Sequence, residues 1–336
     1  MTAAGLCALL SACGTTAPDA APTPAASKPA AKVIQEPPAL SPEQARDIVA
    51  RHAETSRKAY TSLDNALLDT VEDGPLLTQS LARIKGNRGV PEKERAPYPL
   101  PTGPSAAQLY IPRIAPQSAF ATNSKPRWFA AATTVGPDVW FTVFAERPAQ
   151  QRWEAVSSVL LVDQPVPKIA LDGNGFATAV DANGLPTKPD ALKAAVIDNY
   201  ATGGQQDAKK ILTPTSASER QVKIHATAGK GYGDKARTTF AGAASSDPTY
   251  ALRTADGGTL VLFSHTHTQT DTVTQRGLGL IPKKRDEPWL GTKPLPAIQF
   301  TFLCADAATV PHGSGPARLL DTSCARTDVS GPRTRV

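Results

Sequence analysis

Long apolar runs are missing from this chain of 336 residues. None approaches the ~20 residues that a membrane-spanning helix needs, so no segment reads as one. Strong charge of one sign is missing too: 36 Lys and Arg stand against 30 Asp and Glu, a net +6. That excess is too dilute for a nucleic-acid surface, and nucleic acid is not expected as a partner. Cysteine is scarce, with four in all. Apolar residues make up 40% of the chain, or about 47% with the 24 glycines counted, which excludes fibrous and wholly disordered classes. Proline is the exception to this scarcity. There are 31, and they cluster, so part of the chain reads as linker.

The N-terminus carries an address. Gly5 to Leu10 is a short apolar run leading into Leu10-Ser11-Ala12-Cys13. That tetrapeptide resembles a bacterial lipobox, in which small residues flank the scissile bond and the cysteine thiol accepts a diacylglyceryl group. No Lys or Arg precedes the run, so the signal segment 1–12 reads as incomplete or trimmed, with the start lying upstream. Residues 13–40 read as a lipidated Cys13 followed by an Ala/Pro-rich tether without periodicity. Acyl chains at ~0.8 kcal/mol per CH₂ would hold the chain at the extracytoplasmic face of the cell membrane. Of the remaining cysteines Cys7 lies in the cleaved segment. Cys304 and Cys324 are expected to form a disulfide worth ~3 kcal/mol in the chain-entropy model, with two separate buried thiols as the alternative.

A helix is expected from Ser41, a cap followed by Pro42 and by Gln44 at the capping-box position. Pro75 opens a second helical stretch, ending at Gly86. The period then shortens to two, and 108–111, 127–135, 139–145, 152–162 and 169–171 read as strands. The order recurs after Asp181 to Thr187: helices at 188–200 and 207–212, then strands at 222–226, 237–240, 250–253, 259–267 and 297–304. The reading is an α+β protein of two similar units, 41–185 and 186–324, each with N-terminal helices on a curved antiparallel sheet, and a disordered tail at 325–336.

Helices followed by a curved meander make each half similar to the NTF2-like and cystatin-like folds. The whole resembles a family of actinobacterial, Streptomyces-like lipoproteins carrying a domain of unknown function. The residues that carry the likeness are Val71-Glu72-Asp73-Gly74-Pro75-Leu76-Leu77, Trp128-Phe129, Trp153-Glu154-Ala155-Val156 and Ala170-Leu171-Asp172-Gly173-Asn174-Gly175-Phe176-Ala177. The resemblance implies an address and an organisation, and it brings no activity or site.

For chemistry, His265-Thr266-His267 stands out. On a strand, Val261, Phe263, His265, His267, Gln269 and Asp271 share one face, which puts two imidazoles at the mouth of the sheet's hollow. With Asp271 or His312 they could hold a metal, or one could serve as a general base. A lone His-x-His lacks the third spacing that makes zinc signatures specific, and the plainer reading is the polar end of a strand. Asp172-Gly173-Asn174-Gly175 is better read as a turn than as a calcium loop, because Phe176, Ala177 and Asn183 occupy key ligand and glycine positions. Gly229 to Gly233 and Gly313-Ser314-Gly315 match no phosphate-loop or nucleophile spacing, and Lys283-Lys284-Arg285 reads as a solvated loop. Trp128, Phe129, Trp140, Phe141, Phe144 and Trp153 read as core before pocket. No metal, cofactor or catalytic constellation is expected. The leading function is a non-catalytic ligand- or partner-binding module, and the competing one is an enzyme built on His265 and His267.

Overall fold

The computed structural model describes residues 36–95, 106–114, 126–147, 150, 152–243 and 247–332. Cys13 and the signal segment lie outside these residues. Helix α1 (Pro42–Ser62) starts where the capping box predicts: the Gln44 amide donates to Ser41 Oγ at 3.2 Å, and the Ser41 amide donates to Gln44 Oε1 at 3.0 Å. Its buried stripe is Ala45, Val49, Ser56 and Ala59, a three- and four-residue rhythm. A single turn, α2 (Asn65–Leu68), precedes α3 (Gly74–Arg88), whose first amide is capped by Asp73. The chain docks earlier than the tether 13–40 suggested. Ala39 is fully buried and its amide bonds to Pro112, so the last residues before Ser41 belong to the folded body.

The first sheet is an antiparallel meander in chain order: β1 (Gln108–Tyr110), β2 (Trp128–Val135), β3 (Asp138–Arg147) and β4 (Arg152–Leu161). Val135 pairs with Asp138 across a two-residue loop, and Gly136 supplies the positive φ of 59° that such a turn requires. Both faces are buried. Phe129 and Phe144, stacked at 4.9 Å, pack with Ala45 and Val49 of α1. Trp128, Phe141, Val143 and Val159 point the other way.

The second sheet is larger and mixed. After α4 (Pro189–Ala201), α5 (Ala208–Ile211), β5 (Leu212–Thr213) and α6 (Ser216–Thr227) come β6 (Ala236–Ala243), β7 (Tyr250–Arg253) and β8 (Thr259–Val273). Then follow α7 (Glu287–Leu290), β9 (Ala297–Val310) and β10 (Ala317–Ser330). The order is β5-β10-β9-β8-β6, with β7 also on β8 and β5 parallel to β10. Alternation along β8 sends Val261 and Phe263 towards α4, and Leu260 and Leu262 towards the first sheet. The layers therefore run helix, sheet, sheet, helix. α3 lies by the edge of β10, where Gln79 Nε2 donates to the carbonyls of Leu303 (2.8 Å) and Ser323 (3.0 Å).

The α+β reading holds, while two similar units are not what the strand orders display. Four strands in simple sequence face six in a rearranged, partly parallel order, and one apolar cluster joins Trp128 and Phe141 to Leu252, Leu260 and Leu320. Residues from Glu36 onward form one compact unit. Several local expectations are corrected. Val222 to Ala226 is part of α6 rather than a strand, because Thr215 and Ser218 form a capping box and Ala217, Ser218 and Gln221 make a helical buried stripe. Ile169 and Leu171 form only isolated bridges. The tail expected at 325–336 is ordered as far as Ser330. There β10 pairs Arg326 with Phe302 and Val329 with Phe300, and Val329 is buried.

Candidate functional site

The histidines sit where β8 passes beneath the C-terminal end of α4. The apolar half of that interface, with Leu192, Val196 and Phe263, gives way to a polar chain. Asn199 Nδ2 donates to Gln221 Oε1 at 2.8 Å, and Gln221 Nε2 donates to Thr322 Oγ1 at 2.9 Å. Thr322 Oγ1 donates to Asp306 Oδ1 at 2.8 Å, and Asp306 Oδ2 lies 2.6 Å from His265 Nδ1. His265 Nε2 in turn lies 3.1 Å from His267 Nδ1. A carboxylate only accepts, so His265 Nδ1 carries a proton and Nε2 is the atom turned to His267. Burial is complete or nearly so: 0% exposure for His265 and Asp306, 4% for His267.

The ring of His267 is held between Tyr200 (centroids 4.1 Å apart) and Phe302 (5.0 Å). Burial, and secondarily the neighbouring His265, pushes its pKa down to about 3, so it is neutral across the physiological range. Burial likewise pushes the Tyr200 phenol up, with the Asp306 charge adding to the effect. The disulfide Cys304–Cys324 joins β9 to β10 beside this chain, with Cys304 Sγ 3.8 Å from His267 Nδ1.

The shared face of β8 is as expected, but its surroundings are not. The imidazoles are inside, under Tyr200, instead of at the mouth of a hollow. Asp271 does not join them. Its carboxylate accepts from Tyr232 (2.9 Å), Thr238 (2.7 Å) and Gln269 (3.1 Å). Exposed His312 lies beside Gly257, at the turn before β8. Asp306 is the residue sequence reasoning missed. It stands opposite Phe263 on β9, and extending the alternation Phe302, Cys304, Asp306 past position 304 would have found it.

A separate cavity of about 490 Å³ opens between α3, the first sheet, α7, β9 and the edge of β10. Trp140, Trp289 and Phe302 form apolar walls, and Arg83, Arg285, Arg326 and Asp286 supply charge. Arg326 pairs with Asp286, and half-buried Cys324 lies in the wall. Three guanidiniums against one carboxylate leave the lining positive. Of the aromatic residues expected as core, Trp128, Phe129, Phe141 and Phe144 are core, while Trp140 also faces this space.

The remaining motifs resolve locally. Asp172 Oδ1 accepts from the amides of Asn174 (2.8 Å) and Phe176 (3.0 Å), and Oδ2 accepts from Arg113 at 2.6 Å, so the loop is closed on itself. The amide of Phe176, followed by the Arg113 guanidinium, holds this carboxyl below its usual range. Lys284 meets Glu94, and Arg285 donates to the Glu94 carbonyl at 3.2 Å. Among the described residues, no helix is long and apolar enough to cross a membrane.

The chain is similar to an uncharacterized lipoprotein of Streptomyces coelicolor, 46% identical over 322 residues that cover 93% of this chain and 87% of that protein. A second uncharacterized lipoprotein of that organism is 28% identical over 258 residues, 73% of either chain. One from Streptomyces avermitilis is 26% identical over 292 residues, covering 84% of this chain and 82% of its own. No solved structure matches significantly. Residues 36–331, essentially the whole helix–sheet–sheet–helix body, match the model of a domain of unknown function, DUF8094, and the chain belongs to that lipoprotein family.

Proposed function

We propose that this protein is a lipid-anchored binding protein at the outer face of the cell membrane, tethered through Cys13, and that it takes an anionic small molecule with an aromatic or aliphatic body. The observation that carries the reading is the cavity of about 490 Å³, lined by Trp140, Trp289 and Phe302 and edged by Arg83, Arg285 and Arg326. That volume falls in the range of small-molecule sites, and apolar walls with a few convergent charges are their usual chemistry. Guanidinium groups favour carboxylate or phosphate through paired hydrogen bonds. The lipoprotein relatives and the Leu10-Ser11-Ala12-Cys13 pattern support the anchor. Neither His265 nor His267 lines the cavity, which favours binding over a histidine-based reaction there.

Because Trp140 and Trp289 flank the cavity, tryptophan emission of the purified chain reports occupancy. A panel of aryl and acyl carboxylates and phosphates should include members that shift it saturably. Arg83→Ala should weaken those about tenfold, the loss of one charge-assisted hydrogen bond. A panel without saturable binders, or affinities unmoved by Arg83→Ala and Trp289→Ala, refutes the ligand reading. Cys13→Ser should abolish incorporation of labelled fatty acid, and an inhibitor of lipoprotein signal peptidase should leave a larger, uncleaved chain in the membrane fraction. Unchanged acylation in the variant together with unchanged size under the inhibitor would refute the anchor.

A further inference from the structure

The cavity leaves the polar chain under α4 unexplained, and the chain carries more than a buried hydrogen-bond network needs. We propose that reduction of Cys304–Cys324 turns it into a buried site for a soft d¹⁰ cation, Cu(I) or Zn(II), held by His265, His267 and Cys304.

The donors already stand close together. One ligand atom each of His265, His267 and Cys304 lies within 4.8 Å of the others, with His265 Nε2 3.1 Å from His267 Nδ1 and that nitrogen 3.8 Å from Cys304 Sγ. Ion–nitrogen bonds of ~2.0–2.1 Å and ion–sulfur bonds of ~2.3 Å put donors around a shared ion roughly 3.3–3.8 Å apart. Two imidazoles with a thiolate match the preference of soft and borderline cations. A second observation is independent of these distances. Asp306 accepts a hydrogen bond from His265 Nδ1–H at 2.6 Å and so turns Nε2 inward, the outer-shell carboxylate that orients metal-bound histidine. Thr322 and Gln221 hold that carboxylate in place, and Tyr200 and Phe302 hold the plane of the second ring.

The disulfide acts as the latch, because a sulfur bonded to sulfur offers no thiolate. Cys304 is fully buried, whereas Cys324 is half-buried and lines the cavity beside the edge of β10. A dithiol entering that way attacks Cys324 Sγ and expels Cys304 as thiolate, next to His267. The second thiol of the reductant closes its own disulfide and frees Cys324, so two electrons and two protons pass from the dithiol to the cysteine pair. Binding of the cation then takes the Cys304 sulfur as thiolate and the Nδ1 lone pair of His267, while the thiol proton leaves to solvent and the ring proton of His267 moves from Nδ1 to Nε2. This inference uses the cavity only as a route and stands whether or not an anionic ligand binds there.

The experiment uses the full chain with Cys7 and Cys13 replaced by serine, reduced anaerobically by a phosphine that is then removed. Co(II), standing in for Zn(II), reports a thiolate ligand through its sulfur-to-metal charge-transfer band, and Cu(I) is read by competition with a chromogenic chelator. The reduced chain should take up one equivalent of one or both ions, and the oxidised chain none. Which ion binds identifies the cation. Cys324→Ser, which frees Cys304 permanently, should bind without reductant. In that background His267→Phe should abolish uptake with the circular dichroism unchanged, and Asp306→Asn should weaken it 10–100-fold. Absence of uptake by both the reduced chain and Cys324→Ser, or uptake indifferent to His267→Phe, overturns the proposal. Loss of the native circular dichroism in both would overturn it equally, since no folded reduced state would remain to hold an ion.

Discussion

Helix α1 covers the first sheet with apolar material at one end, Ala45 and Val49 over the stacked Phe129 and Phe144, and with short separate polar links at the other, where His52 and Ser56 meet Glu72 and Thr142 bonds to Ser158. Helices α4 and α6 cover the second sheet in two halves. Leu192, Val196 and Phe263 fill one, and Asn199, Gln221, Thr322, Asp306, His265 and His267 form a bonded series in the other. Apolar packing tolerates many arrangements of similar volume. A buried polar chain is favourable only when each member finds its partner, so it fixes one arrangement of two helices and three strands. The first layer stabilises the body, and the second specifies a geometry.

The largest effects should separate the two layers by what can rescue a lesion. Phe129→Ala removes a fully buried ring and should cost about 3–5 kcal/mol in denaturant unfolding. Asp306→Ala should cost about as much, but by stranding His265 in a dry interior. Pairing Asp306→Val with His265→Phe should then recover most of that loss, because an apolar replacement leaves nothing unpartnered. If the double variant is no better than Asp306→Ala, the distinction between the layers fails.

Acid should act on the second layer next. The His267 pKa is held at about 3 in the fold against 6.5 for the free side chain. The unfolded chain therefore binds this proton more readily, and stability is full above pH 6.5 and falls as the pH drops towards 3. From this residue alone the loss at pH 5 is about 2 kcal/mol. His267→Phe keeps the stack on Tyr200 and Phe302 and should flatten that slope; an unaltered slope would mean that another group carries it. The smallest effect is expected at Thr322→Val, about 1 kcal/mol, from removing one link between Gln221 and Asp306.

Much of the helix and strand pattern was legible in the residues. Ser41-Pro42 with Gln44 announced α1, Gly136-Pro137 announced a turn, and alternation gave the shared face of Val261, Phe263, His265 and His267. The failures have physical causes. Val222 to Ala226 looks like a strand by composition, and only the cap at Thr215 and burial against β10 make it helix. β10 was invisible because its sequence, with Arg318, Asp321, Arg326 and Asp328, is too polar to read as a buried strand. Its place is secured by pairing with β9 along nearly its whole length.

By itself the sequence determined the capped first helix, the hairpin turn, the alternating faces and the pairing potential of Cys304 and Cys324, because each depends on chemistry a few residues wide or on an even count of thiols. Only the tertiary structure decided which carboxylate meets His265. Asp271, a few residues away on the same strand, is spent on Tyr232 and Thr238, while Asp306 arrives from 41 residues away because β8 and β9 pair in one register. The cavity was decided in the same way. Its walls come from α3, the first sheet, α7, β9 and β10, distant stretches that burial of apolar surface brings together and no local pattern encodes.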